Sequence, residues 1–125
     1  MSQVDFRKGE TIFREGDPGT HCYRIILGKV QVSIASPGVM RRDRKTAIAI
    51  CGPGEFIGEM SLLIGSARSA TLTAIEDTTC ETFTKSQLTD LLESNPKEAM
   101  AYLKVLIARI REDNRKLSIT YGGRG

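Results

Sequence analysis

Tryptophan is missing from this 125-residue sequence, histidine occurs once, and no apolar run reaches the roughly 18 residues that a membrane-spanning helix needs. The single histidine, His21, cannot by itself build a metal site of several imidazoles or a serine–histidine–aspartate relay, and the sequence shows no such constellation around it. Cysteine is scarce too. Cys22, Cys51 and Cys80 are odd in number, far apart and never paired as CxxC, which speaks against a disulfide framework and against zinc. They read as small buried or half-buried thiols in a reducing compartment. Charge of one sign is not in large excess: 18 Lys+Arg against 15 Asp+Glu leave a formal +3, too little to indicate nucleic acid. The segment Met1 to Gly9 has no apolar signal-peptide core. The expectation is a cytoplasmic chain, alone or as part of a larger protein, that is not an enzyme, binds no metal or prosthetic group, and contains no membrane span. The apolar share of 40% is enough for one domain over 1–125 that folds without disulfides.

The first two thirds read as β. Thr11-Ile12-Phe13 is a short apolar run closed by Glu15-Gly16-Asp17-Pro18-Gly19, a cluster dense in chain-turning residues. Cys22 to Leu27 and Val30 to Ile34 follow, joined by Gly28-Lys29 as a tight hairpin, with Val30, Val32 and Ile34 alternating onto one face. Ser36 to Lys45 is a loop carrying the basic cluster Arg41 to Lys45, a solvated loop without the interleaved aromatics of a nucleic-acid site. Thr46 to Ile50, Thr71 to Ile75 and Thr79 to Phe83 are further strands. Turn signals about every eight to twelve residues are the pattern of a β-sandwich, roll or barrel.

Helices take over near Lys85. Ser86 is a candidate cap for a helix through Leu88, Leu91 and Leu92, and Asn95-Pro96 ends it and opens a second that runs to about Leu117. The β part spans about 6–84, the helices about 86–117, and a glycine-rich flexible tail 118–125. In the long helix Met100, Leu103, Ile107, Ile110, Asn114 and Leu117 alternate spacings of three and four, a heptad-like stripe. It suits a partner helix, and equally an amphipathic helix packed on its own domain.

The chemistry-bearing segment is Phe56 to Thr71, FIGEMSLLIGSARSAT. Gly58 allows close backbone approach, and Glu59 to Leu63 can form one or two helical turns whose N-terminal amides suit an anion. Arg68 offers a planar fork that matches two phosphate oxygens, Glu59 can accept from a sugar hydroxyl, and Ser69 can add a hydroxyl contact. On bare spacing, Glu59 and Arg68 read better as an exposed ion pair worth about 0–1 kcal/mol.

The segment as a whole resembles something more specific. Phe-Ile-Gly-Glu-Met-Ser-Leu-Leu followed by Arg-Ser-Ala-Thr-Leu is similar to the phosphate-binding cassette of cyclic-nucleotide-binding domains, the family of catabolite activator protein, protein kinase A regulatory subunits and cyclic-nucleotide-regulated channel domains. The resemblance runs from about Phe6 to Leu117 and takes in the Gly16–Gly19 turn and the Gly28–Val30 hairpin. It implies a mainly β fold with C-terminal helices: an antiparallel double-stranded β-roll, jelly-roll-like, with a short cassette helix and a long C-terminal helix. It implies a cyclic nucleotide ligand, with cAMP favoured over cGMP because Ser69 stands where a threonine often accompanies cGMP preference. Among the ligand-binding positions it implies, Gly58 and its cassette neighbours Met60, Ser61 and Ala70 lie along the ligand, Glu59 bonds the ribose 2′-OH, Arg68 pairs with the cyclic phosphate, and Ser69 touches phosphate or base. The side chains of Ile57, Met60 and Leu62 are expected to pack the roll. Core packing is also the default for Val32, Ile48 and Ile50, with the base pocket as the alternative. The usual proline before the cassette arginine is Ala67 here, which should loosen the turn slightly.

The same resemblance implies a homodimer through the C-terminal helix, base capping by Asn114 or Arg115, and an output in which that helix moves onto bound nucleotide, toward an effector outside this chain. Two alternatives stay open: a truncated transcription regulator of the catabolite activator type, and a degenerate β-roll that makes protein contacts without ligand.

Overall fold

The computed structural model describes the backbone of residues 2–35 and 45–120, and the side chains of 2–35, 46–108 and 111. The basic cluster at Arg41 to Arg44 and the tail Tyr121 to Gly125 lie outside the described residues. The chain forms two compact units, Met1–Leu88 and Thr89–Gly125.

In the first unit, eight strands form two four-stranded antiparallel sheets. They are β1 (Ser2–Phe6), β2 (Thr11–Phe13), β3 (Cys22–Leu27), β4 (Val30–Ala35), β5 (Lys45–Cys51), β6 (Phe56–Ile57), β7 (Thr71–Ala74) and β8 (Thr78–Phe83), with α1 (Glu59–Ile64) between β6 and β7. One sheet runs β1-β8-β3-β6 and the other β2-β7-β4-β5. Both contribute to one core of Ile25, Val30, Cys51, Ile57, Ala70, Leu72 and Cys80, against which Val4, Phe6, Ile12, Phe13, Tyr23, Val32 and Ile34 pack. This is the jelly-roll-like β-roll expected from the sequence. The strand β1 was not foreseen; it pairs along its length with β8, from Ser2 opposite Thr82 to Phe6 opposite Thr78.

Two packing expectations fail, one on β5 and one on α1. Ile48 and Ile50 are exposed rather than core residues. β5 is an edge strand of its sheet, and every residue from Thr46 to Ile50 is exposed, with burial resuming at Cys51. The alternation of β4 holds, with Val30 in the core and Val32 and Ile34 packed against it, while Ser33 on the other face is buried as well and its hydroxyl donates to the Thr71 carbonyl at 3.4 Å. Met60 is exposed because α1 turns Glu59, Ser61 and Leu62 inward instead.

Helix α2 (Lys85–Ser94) is capped by Thr84, not Ser86. The Gln87 amide donates to Thr84 Oγ1 at 3.2 Å and the Thr84 amide to Gln87 Oε1 at 3.0 Å, so two orphan donors are satisfied reciprocally. In the second unit, α3 (Pro96–Thr120) opens on Asn95, whose Oδ1 accepts from the Glu98 amide at 3.3 Å. It runs three residues beyond Leu117. Met100, Leu103 and Ile107 of the expected stripe are exposed, while the side chains of Ile110, Asn114, Arg115 and Leu117 lie outside the described residues.

The three cysteines are free and buried. Burial pushes the Cys22 thiol from 9.0 up to about 12, with the Glu59 charge adding to it, and the Cys80 thiol up to about 11, with Asp5 adding. An unfolded chain therefore releases protons above pH 9 that the folded chain keeps, so stability falls as pH rises from there toward pH 11. Urea unfolding at several pH values should show a loss approaching about 1.4 kcal/mol per pH unit for each thiol. A Cys22→Ala/Cys80→Ala variant should flatten that slope; equal slopes in both proteins would contradict the assignment.

Candidate functional site

Two segments meet to build the site. The first is the turn from β6 into α1. Gly58 caps α1 in the left-handed region at φ 77°, with no side-chain cap bond, and Gly65 ends the helix at φ 80°. The Gly65 and Ser66 amides both return to the Ser61 carbonyl, at 2.8 and 3.1 Å. The second is the turn after β2. The Gly16 amide donates to the Arg68 carbonyl at 2.8 Å, the Arg68 amide donates to the Asp17 carbonyl at 2.8 Å, and Pro18 forms a β-bridge with Ala67. The backbone at Ala67 and Arg68 is thus pinned by pairing with the turn. Asp17 is itself fixed through its carboxylate, which accepts from the Arg14 amide at 3.0 Å.

Between these segments Arg68 is 5% exposed. Its Nη1 donates to the Gly58 carbonyl at 2.7 Å and to Ser61 Oγ at 2.9 Å, and its Nη2 donates to the His21 carbonyl. Its Cζ lies 4.0 Å from the centre of the Phe13 ring. Three of its five N–H groups are thereby engaged, and Nε is buried with no acceptor for its N–H among the described residues. A buried donor without a partner carries a penalty of about 1–3 kcal/mol, more for a charged group, unless something supplies an acceptor. Burial lowers the Arg68 pKa from its ordinary value, opposed by Tyr23, Cys22, Asp17 and Glu59. A guanidinium stays protonated in proteins, so the site holds a desolvated cation. Glu59 is 2% exposed, and its charge is among those that favour the charged arginine. The reading of this pair as an exposed ion pair fails on burial alone.

Of the residues anticipated from the sequence, Gly58, Glu59, Ser61 and Arg68 come together here. Ala70 is buried in the core cluster. Met60 and Ser69 are exposed. Asn114 and Arg115 belong to α3, and their side chains lie outside the described residues. The sequence reading missed Phe13, the His21 carbonyl and Gly19. Gly19 reads from the sequence only as part of the Gly16–Gly19 turn, and the structure adds that a Cβ there would run into Ser61 Oγ. A carbonyl contact such as that of His21 leaves no trace in residue identity.

With this geometry in view, comparison with known proteins is informative. The chain belongs to the cyclic nucleotide-binding domain family, whose model matches residues 3–95. It is 30% identical over 118 residues to the CRP-like cAMP-activated global transcriptional regulator of Mycobacterium tuberculosis, covering 94% of this chain and 51% of that protein. It is 39% identical over 83 residues to the cAMP-dependent protein kinase regulatory subunit of Dictyostelium discoideum, covering 64% of this chain and 24% of that one. The catabolite activator protein of Thermus thermophilus superimposes with a TM-score of 0.81 at 31% identity, over 96% of this chain and 55% of its own. The chain therefore spans about half the length of the regulators it matches.

Gly58 tests the site's tightness. A Cβ there would lie 2.5 Å from Arg68 Nη1 and 2.9 Å from the Phe13 ring, whereas a Cβ on Gly16, also left-handed at φ 92°, would meet nothing within 4 Å. Gly16→Ala should lose only the strain of the backbone, about 1–2 kcal/mol. Gly58→Ala should lose about 2–4 kcal/mol, since overpacking adds to the strain. Chemical denaturation of both variants measures the difference; equal losses would mean that the guanidinium and the ring do not crowd Gly58.

Proposed function

We propose that this chain is a non-catalytic regulatory module that binds a cyclic purine nucleotide and signals through its C-terminal helix. The observation that carries the reading is Arg68: a desolvated guanidinium whose amino groups are fixed by the protein and whose Nε–H is left for an incoming acceptor. A cyclic phosphate is such an acceptor, compact enough to enter a nearly closed site, and its single charge answers the buried cation. Glu59, buried one residue after Gly58, takes the ribose 2′-OH, and the cassette backbone from Gly58 to Ser61 lies along the ligand. Ser69, already exposed, contacts phosphate or base, and its identity favours cAMP over cGMP.

The output is the position of α3. Nucleotide favours one placement of the helix only by its differential affinity for it, and Asn114 or Arg115 capping the base supplies that difference. The exposed Met100, Leu103 and Ile107 suit a homodimer through the same helix, with the effector outside this chain and in the cytoplasm. A second reading, the ligand-binding part of a transcription regulator, rests on the match to half of the Mycobacterium protein. It shares the same site.

Calorimetric titration with cAMP and with cGMP decides the reading. The wild-type chain should bind cAMP more tightly than cGMP. Truncating one partner of a buried charge-assisted pair removes about 2–5 kcal/mol, so Arg68→Ala should weaken affinity by at least about tenfold. An unchanged affinity in that variant would overturn the role of Arg68.

A further inference from the structure

Phe13, the last residue of β2, lies under the guanidinium that the proposed function uses. Its ring centre is 4.0 Å from Arg68 Cζ, inside the range in which the negative face of an aromatic ring attracts a cation. The placement is built by the backbone. The pairing of β2 with β7 slips register between Thr11 and Phe13, an irregularity of the kind that re-aims a side chain. The ring is backed in turn by Tyr23, stacked at 6.4 Å and 25°, and Tyr23 meets the edge of Phe6 at 6.0 Å and 81°. Gly58 leaves room for ring and guanidinium together, since a Cβ there would strike both.

We propose that Phe13 is a positioning residue for the anion-binding arginine: its ring covers one face of the Arg68 guanidinium, keeps water from it, and with the Gly58 and His21 carbonyls fixes the group so that the buried Nε–H is the donor left for a phosphate oxygen. The inference rests on the cyclic-nucleotide reading of the site. Its physical content is that an aliphatic side chain of similar size fills the same space but has no quadrupole to hold the cation. Core packing alone would make leucine an adequate substitute; positioning would not.

The test uses the full chain with Phe13→Leu and Phe13→Met as ringless variants and Phe13→Tyr as the conservative one. Phe13→Leu and Phe13→Met should weaken cAMP affinity roughly tenfold, and Phe13→Tyr by less than about threefold. A second readout needs no ligand. The Arg68 Nε–H proton resonance should lie upfield in the wild type and in Phe13→Tyr from the ring current, and should move downfield with faster solvent exchange in the ringless variants. Having two ringless variants keeps the test open if one of them does not fold. Wild-type affinity in a folded ringless variant, equal losses in leucine and tyrosine variants, or an unmoved Arg68 resonance would each overturn the positioning role. A wild-type chain that binds neither cAMP nor cGMP would instead overturn the functional reading, and the resonance would still decide whether the ring holds the arginine.

Discussion

A guanidinium that is almost wholly removed from water constrains everything around it. Burying a charge is expensive unless hydrogen bonds and counter-charges replace the lost hydration. Arg68 is met by two main-chain carbonyls, a hydroxyl and an aromatic face, with Gly58 and Ser61 at the start of α1, His21 just before β3 and Phe13 at the end of β2. Charge-assisted hydrogen bonds contribute about 1.5–3 kcal/mol each, and a desolvated cation–π contact about 2 kcal/mol, so the group is held firmly. Nε–H has no acceptor among the described residues, and an acceptor delivered to it removes that deficit. Ligand affinity on this account draws on a penalty already present in the folded protein.

The β-roll exists in a form that makes this burial workable. The turn after β2 pairs with the backbone of Arg68 itself, so the side chain departs from a fixed point. The left-handed glycine at the start of α1 brings its carbonyl to the guanidinium and at the same time clears the space for Phe13. The core between the sheets supplies the dry surroundings, and it places Cys22 close enough for its thiol to feel both Glu59 and Arg68. The packing that stabilises the roll is therefore also what keeps the local dielectric low around the charge pair.

How far this was legible in the sequence depends on what each feature needs. Strands with apolar alternation between glycine-rich turns were readable, because period and turn chemistry are local. The cassette was readable as a pattern, and burial of Glu59 and Arg68 then decided against an exposed pair. The strand Ser2–Phe6 escaped because its partner β8 is more than seventy residues away and its own residues are half polar. Ile48 and Ile50 misled because apolar alternation suggests one buried face, whereas on the edge strand β5 every residue from Thr46 to Ile50 is exposed. Thr84 was overlooked as a cap because Ser86 lies nearby, although Thr84 and Gln87 form the reciprocal pair at the spacing that signals a helix start. Phe13 could not be read at all: its contact with Arg68 depends on a register slip and on residues far along the chain.

A crystal structure of the chain grown with cAMP tests the central claim most directly. The account predicts a cyclic phosphate oxygen within hydrogen-bonding distance of Arg68 Nε, with the guanidinium still on the Phe13 ring and the ribose turned toward Glu59. A nucleotide bound with its phosphate elsewhere, while Arg68 keeps its carbonyl partners and its unmet Nε–H, would contradict it.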